Sequence, residues 1–417
     1  MSVLRIQGGR KLSGSIRVQG AKNSVLPIMA ASLLAEGVTV IHNCPDLSDV
    51  EVSMKILRHL GCKAQREGES VVIDSAGEIR HDIPDDLMRE MRSSVVFMGA
   101  IFARTGKALM SYPGGCELGP RPIDLHLYAL RTLGALIDET GGRIACHSDK
   151  LAAGYINFSL PSVGATENAM LAASRAVGTT VITNPAREPE IEDLQSYLRG
   201  LGIDINGAGT SMITVTGRRT RKDTEHTIIP DRIVAATWLS ALASAGGDIE
   251  LTGVEPSHFA SVADSLRRMG CTIEADGNRV RALRNGMLRA IKPIYTEPYP
   301  GFPTDAQPPL MAAALCAQGT TVFVENIFEN RYRHVEELRR MGADIMVSGK
   351  TAMVCGVRKL HGAGLRATDL RGSAALLVAA LAAEGESIIS GLSHLDRGYD
   401  GTENILKQLG ADIERMD

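Results

Sequence analysis

A short phrase recurs six times along this 417-residue chain: a leucine, a basic residue, one further residue, then Leu or Met and a glycine. It stands at Leu57–Gly61, Leu130–Gly134, Leu198–Gly202, Leu266–Gly270, Leu338–Gly342 and Leu406–Gly410, with starts 73, 68, 68, 72 and 68 residues apart. A second signature alternates with it, an Ala-rich apolar run that stops near a glycine and passes into β-branched residues: Ala30–Gly37, Met98–Gly106, Ala172–Gly178, Leu239–Gly246, Ala312–Gly319 and Ala379–Gly385. Internal periodicity of this kind constrains a fold more than any local propensity. Each unit of roughly 70 residues reads as an apolar helix, a Gly stop, a strand such as Thr321-Val322-Phe323-Val324, a loop, a second helix ending in Leu-x-x-Leu-Gly, and further strands. The fold class is therefore α/β, built from six repeats. Duplicated architecture without chemistry is the plain alternative.

Composition narrows the function classes. Hydrophobic residues make up 44% and charged residues 22%, as in an ordinary globular protein. Only 4% is aromatic, too little for a base-stacking surface. Lys plus Arg is 45 against 48 Asp plus Glu, so no global basic field attracts a nucleic-acid polymer or a membrane, and any anion site has to be assembled locally. The longest apolar runs, Val25–Ala35 and Val95–Ala103, fall short of the ~20 residues of a spanning helix, and the polar start lacks a signal-peptide core. Seven cysteines without a Cys-x-x-Cys pair indicate neither a disulfide framework nor a zinc site. A cytoplasmic protein with reduced thiols is expected.

Counting back 14 or 15 residues from each Gly stop reaches Lys22 with Asn23, Arg92, Gly164, Asp231, Asp305 and Arg371, where each apolar helix should open. Helix N-termini offer free N–H groups and partial positive charge to anions. Asp231 reads as a helix cap. Lysine and arginine are poor caps and oppose the dipole there, so Lys22, Arg92 and Arg371 lean towards binding. Loops after the first strands carry Arg121, Arg187, Arg331 and Arg397, whose guanidinium forks suit carboxylate and phosphate, although a loop arginine can equally be a solvated one.

Among the cysteines, Cys62 and Cys271 take the slot after the repeat glycine, filled by alanine in sister units, and read as small buried hydrophobes. Cys316 lies in an apolar run, Leu310–Gln318, read as helix; Cys146 and Cys355 fall in strand-like runs, and Cys44 is open. Cys116 differs, standing in the loop Pro113-Gly114-Gly115-Cys116-Glu117-Leu118-Gly119-Pro120-Arg121-Pro122 with a cation five residues on. A loop thiol near cations suits an acid or a nucleophile, or is merely exposed. No P-loop or dinucleotide fingerprint occurs.

Together Gly20-Ala21-Lys22-Asn23, the Cys116 loop, Ser162-Val163-Gly164-Ala165-Thr166, Phe302-Pro303-Thr304-Asp305, Glu329-Asn330-Arg331 and Asp369-Leu370-Arg371 carry a family likeness. The sequence resembles the UDP-N-acetylglucosamine 1-carboxyvinyltransferases, a family of enolpyruvyl transferases, from Arg5 to Ala411. The resemblance implies two lobes, each an inverse α/β barrel of three repeats, spanning 22–229 and 1–21 plus 230–417. It implies transfer of the enolpyruvyl group of phosphoenolpyruvate to the 3-hydroxyl of UDP-N-acetylglucosamine with release of phosphate. That is the first committed step of peptidoglycan synthesis, and it ties the chain to cell-wall biogenesis, cell shape and cell division.

By the same resemblance Cys116 donates the proton, can hold phosphoenolpyruvate as a covalent adduct, and is the target of fosfomycin. Asp305 takes or orients the proton of the sugar hydroxyl. Lys22, Arg121 and Arg397 clamp phosphate, Arg331 and Arg371 take carboxylate or intermediate charge, and Asn23 and Arg92 line the reacting end. Arg92, Asp305, Arg121, Pro122, Ile123, Asp124, Leu125, Ser162, Val163, Gly164 and the backbone at Ile327 would hold the sugar nucleotide. No metal or organic cofactor is implied. Leu160-Pro161 departs from the Lys-Val of some members, which weakens uracil-side assignments, and Val95-Val96 replaces a bulky aromatic. The rival readings are a 3-phosphoshikimate 1-carboxyvinyltransferase, which lacks this Cys loop, and a catalytically silent repeat paralogue.

Overall fold

The computed structural model describes residues 2–112 and 123–416, apart from the Arg92 side chain. Among these, the chain divides into two compact units, residues 20–229 and residues 2–19 with 230–416. Three Ala-rich helices form the centre of each. In the 20–229 unit they are Lys22–Ala31, Phe97–Thr105 and Val163–Ala173. In the other they are Arg232–Ala245, Gln307–Ala314 and Leu370–Ala382. A helix apolar on every face has no solvent side, and thirteen of the fourteen residues in Arg232–Ala245 are buried. Small side chains let these helices approach closely. At Gly99 an added Cβ would lie 2.5 Å from the carbonyl oxygen of Asn168, so glycine is needed where two core helices touch.

Around each helix trio stand three sheets of one design, with three antiparallel strands joined by a parallel edge. In the 20–229 unit one sheet runs Thr224–Thr227, Val38–His42, Ser70–Asp74, Lys63–Glu67, and a second runs Asp204–Asn206, Met212–Thr216, Thr179–Thr183, Tyr155–Asn157. The third, Lys107–Ser111, Arg143–His147, Leu136–Asp138, gains its parallel neighbour only as the bridge Asp82–Leu109. Strands alternate one buried and one partly exposed residue, as for Val38–His42, because one face covers the helices. Helices inside and sheets outside invert the usual α/β barrel, and among the described residues no sheet closes on itself.

Two N-terminal strands complete the second unit, each in a different sheet. Val3–Gln7 pairs antiparallel with Glu386–Ser390 and Asp412–Met416, with Leu4 opposite Ile389, while Leu12–Arg17 pairs parallel with Gly247–Thr252. At the crossings Ala21 N donates to Ile229 O (2.8 Å) and Asp231 N to Gln19 O (2.9 Å).

The repeat phrase has a structural cause at both of its ends. All six of its glycines have positive φ, from 83° to 113°, which turns the chain out of the surface helix and back along a strand. The basic residue after the first leucine ties the two together. Arg58, Arg199, Arg267 and Arg339 each donate Nε to the carbonyl six residues on (Ala64, Ile205, Ile273 and Ile345), at 2.7–3.2 Å. One expected helix is shorter than its apolar run: Gln307–Ala314 ends before Cys316, and Ala317–Gln318 pairs instead with Leu288–Arg289. A short apolar run reads equally as buried helix or strand. No helix among the described residues is long and apolar enough to cross a membrane.

Candidate active site

The shared phase of polar residues survives as geometry. Lys22 opens its core helix, Arg92 opens the turn Arg92–Val96 leading into Phe97–Thr105, and Gly164 is second in its helix. In the other unit Asp231 caps its helix by accepting from Ile233 N and Val234 N, Asp305 lies in the turn Thr304–Ala306, and Arg371 is second in its helix. Each core helix thus begins in chemistry-bearing residues.

In the 20–229 unit Lys22 is buried, and its Nζ stands 2.7 Å from Asp49 Oδ2, itself 2% exposed. A cation at a helix N-terminus opposes the dipole, and its burial removes hydration, so the Asp49 carboxylate is what makes the position tenable. Asp49 was not singled out from sequence. It sits in the first turn of Ser48–Leu60, where an acid is expected for the dipole alone. One residue after the half-buried Asn23, Ser24 donates to Asp193, which also takes His226 Nε2 (2.8 Å).

Ser162 accepts from Ala165 N as the N-cap of Val163–Ala173, and residues 162–164 remain partly exposed. Asn168 fixes this end. Its Oδ1 accepts from Gly99 N (2.6 Å), so its amide nitrogen faces Val95 O (3.1 Å) and His126 Nδ1 (2.7 Å). Nδ1 therefore accepts, and the ring proton of neutral His126 belongs on Nε2. A Cβ at Gly164 would lie 2.9 Å from His126 Cε1, so the backbone here is open only because the residue is glycine. Ile123 is buried and Asp124 exposed at the start of Asp124–Thr132. Cys116, Arg121 and Pro122 lie outside the described residues, as does the Arg92 side chain.

The other unit gathers Asp305, Arg331 and Arg371. Arg331 Nη2 donates to Asp305 Oδ1 (2.9 Å) and Arg371 Nη2 to Oδ2 (3.1 Å), with the guanidiniums 1% and 2% exposed and the carboxylate 27% exposed. Arg331 also donates to Thr304 O (2.8 Å), and Arg371 Nη1 to the buried Tyr399 hydroxyl (3.1 Å). Burial is the largest single influence and opposes the charge on Arg371, but Asp305, Tyr399 and Asp231 together more than offset it, so the guanidinium's pKa stands above its ordinary value. Nε of each arginine is buried without a hydrogen-bond partner among the described residues. Two guanidiniums on one partly open carboxylate carry more positive than negative charge, which suits an anion at Asp305. Arg397 is half-buried two residues before Tyr399, in a turn that Gln19 holds through Gly398 O (3.3 Å) and Asp400 N (2.8 Å). Ile327 is exposed, and its N–H is committed to Glu325.

The remaining cysteines are unlike a reactive thiol. Cys44, Cys62, Cys146 and Cys271 are buried, and Cys316 and Cys355 partly so. Burial pushes Cys62 and Cys146 up to about 12 and Cys271 to about 11. Among the described residues no cluster of His, Cys, Asp and Glu could hold a metal ion.

Known proteins place this architecture. The family model for EPSP synthase (3-phosphoshikimate 1-carboxyvinyltransferase) matches residues 6–415. A curated relative from Caldanaerobacter subterraneus, UDP-N-acetylglucosamine 1-carboxyvinyltransferase 2, is 48% identical over 100% of both chains. UDP-N-acetylglucosamine 1-carboxyvinyltransferase from Myxococcus xanthus is 47% identical over 100% of this chain and 99% of its own. The solved enolpyruvyl transferase NikO from Streptomyces tendae superposes with a TM-score of 0.90 at 30% identity, covering 100% and 99%. With the repeat, the inverted architecture and full-length identity in agreement, the chain belongs to the EPSP synthase family of enolpyruvyl transferases.

Proposed function

We propose that this enzyme transfers the enolpyruvyl group of phosphoenolpyruvate to the 3-hydroxyl of UDP-N-acetylglucosamine and releases phosphate, the entry step of peptidoglycan synthesis. The observation that carries this reading is the full-length likeness, at 48% and 47% identity, to relatives bearing that activity in their names. The residues are consistent with it.

In the addition step the Cys116 thiol gives its proton to the methylene carbon of phosphoenolpyruvate, the sugar oxygen bonds to the adjacent carbon, and the hydroxyl proton passes to Asp305. A tetrahedral phospholactoyl adduct results. In the elimination step the Cys116 thiolate takes a proton from the methyl carbon as the C–O bond to phosphate breaks, and Asp305 passes its proton to the departing phosphate, giving the enol ether and phosphate with both groups restored. Both steps concentrate negative charge, and Lys22, Arg121 and Arg397 offer cations to the phosphate, with Asn23 assigned to the same substrate. Arg331 and Arg371 offer theirs to the carboxylate. They are already preorganised, since each is fully buried and hydrogen-bonded. Cys116 can alternatively bond to phosphoenolpyruvate as a thioether. Arg92, the Arg121–Leu125 segment, Ser162–Gly164 and the carbonyl of Ile327 are assigned to the sugar nucleotide. Leu160 is 56% exposed beside this segment and offers the nucleotide an apolar contact in place of a charge.

The test is the product of phosphoenolpyruvate and UDP-N-acetylglucosamine, identified by mass and by the proton signals of its vinyl methylene. An enolpyruvyl ether at the 3-position supports the reading, and unchanged sugar nucleotide refutes it.

A further inference from the structure

We propose that Glu325 is a positioning residue that locks the Asp305 turn and the Arg331 loop into one geometry, an inference that rests on the enolpyruvyl-transfer reading above. Glu325 follows strand Thr320–Val324, a central strand of its sheet, is 1% exposed, and is fixed there by its own N–H to Lys350 O (2.8 Å). Its Oε1 accepts from Ile327 N (2.9 Å) and Phe328 N (3.0 Å), shaping the start of the loop that reaches Arg331. The Thr304 hydroxyl lies 3.0 Å from each carboxylate oxygen.

The link then closes on itself. Arg331, at the loop's far end, donates one nitrogen to both the Thr304 carbonyl and Asp305 Oδ1. Loop and turn are thus clasped twice, once through Glu325 and once through Arg331. Other bonds hold the loop to the sheet: Asn326 N donates to Thr296 Oγ1 (2.8 Å), and the Tyr332 hydroxyl lies 3.1 Å from Phe323 O and 3.0 Å from Lys350 O.

The donors to Glu325 are two amides and a hydroxyl, all neutral. Among the described residues no cation pairs with this buried carboxylate, which therefore loses its hydration without that compensation, so it is a poor device for stability and a good one for geometry. An angular error of 10–20° in a proton-accepting carboxylate is enough to impair its work. Thr304 makes the connection testable, because its hydroxyl can be removed without changing side-chain volume.

The experiment compares Thr304→Val, Thr304→Ser, Glu325→Ala and the double variant Thr304→Val/Glu325→Ala with the wild-type enzyme, in steady-state turnover and thermal unfolding. The expected result is a kcat at least tenfold lower for Thr304→Val in a protein that still unfolds cooperatively, at a midpoint lowered by about 2–8 °C because Glu325 Oε2 loses its hydrogen bond. Thr304→Ser should restore kcat to within twofold. The double variant should be no slower than Glu325→Ala, because both changes cut one link. Unimpaired kcat in folded Thr304→Val, failure of Thr304→Ser to restore it, or multiplied losses in the double variant would each overturn the assignment. A wild-type enzyme making no enolpyruvyl ether would bring down the functional reading and this inference together, whereas active wild type with active Thr304→Val removes this inference alone.

Discussion

Replacing Asp305 with alanine tests the centre of the second unit, because the structure sets both its energetic and its kinetic consequence. The carboxylate is the bridge between two guanidiniums that are 1% and 2% exposed. Removing one member of a buried ion pair costs about 3–5 kcal/mol, since the charge left behind remains desolvated. Two features bring the figure down here. Asp305 is itself 27% exposed, so water can enter its place, and Arg331 keeps Thr304 O while Arg371 keeps the Tyr399 hydroxyl. A loss of about 2–3 kcal/mol is expected, which lowers the melting temperature but leaves the fold intact. Loss of a proton acceptor costs about 10²–10⁴ in turnover. The freed cation pair should bind a small anion, so formate or phosphate added to the variant should raise its melting temperature more than that of the wild type. Circular dichroism melts with and without formate, beside phosphate-release rates, decide the matter. Turnover within a few-fold of the wild type would remove Asp305 from the mechanism, and an unchanged melting temperature would show that the two arginines do not depend on it.

Cys116→Asp should retain turnover, because a carboxylic acid can still donate the proton, and should lose alkylation by the epoxide fosfomycin; label on another cysteine, detected by peptide mass, would reassign the thiol. Burial, with Glu190 and Glu188, pushes Glu167 up to about 8 from 4.5, so the folded state holds its proton more tightly than the unfolded chain. That contribution is fully present below about pH 4.5 and is lost as pH rises through 8. Glu167→Gln should therefore be more stable than the wild type, by a margin widening from pH 5 to pH 9 up to about 5 kcal/mol; parallel urea midpoints would contradict this. Gly410→Ala has open space at φ +83° and should cost only backbone strain, about 1–2 kcal/mol. Gly61→Ala, whose Cβ would meet Glu78 O at 2.6 Å, should cost distinctly more, and equal losses in denaturant titrations would refute the steric account.

How much was legible beforehand follows from the range of each interaction. The Gly stops and the Leu-x-x-Leu-Gly phrase are local, so counting from them reached the N-terminal ends of all six core helices, with Asp231 as a cap. The partners of those residues are not local. Asp305 and Arg371 are 66 residues apart, and Ser24 and Asp193 are 169 apart, with no pattern linking them. Asp49 and Glu325 were hidden for another reason. An acid in a first turn or after a strand is ordinary, and only its burial against a lysine or two amides marks it out. The pairing of Val3–Gln7 with Glu386–Ser390 was likewise beyond periodicity, which sets the face of a strand but not its neighbour. The grouping of repeats into lobes came from the family resemblance alone.

The most direct test of the central claim is phosphate release from phosphoenolpyruvate by the purified enzyme, with UDP-N-acetylglucosamine, with shikimate 3-phosphate and with neither. Release confined to the sugar nucleotide is the predicted result. Release with shikimate 3-phosphate and none with UDP-N-acetylglucosamine, or no release with either from folded protein, would contradict it.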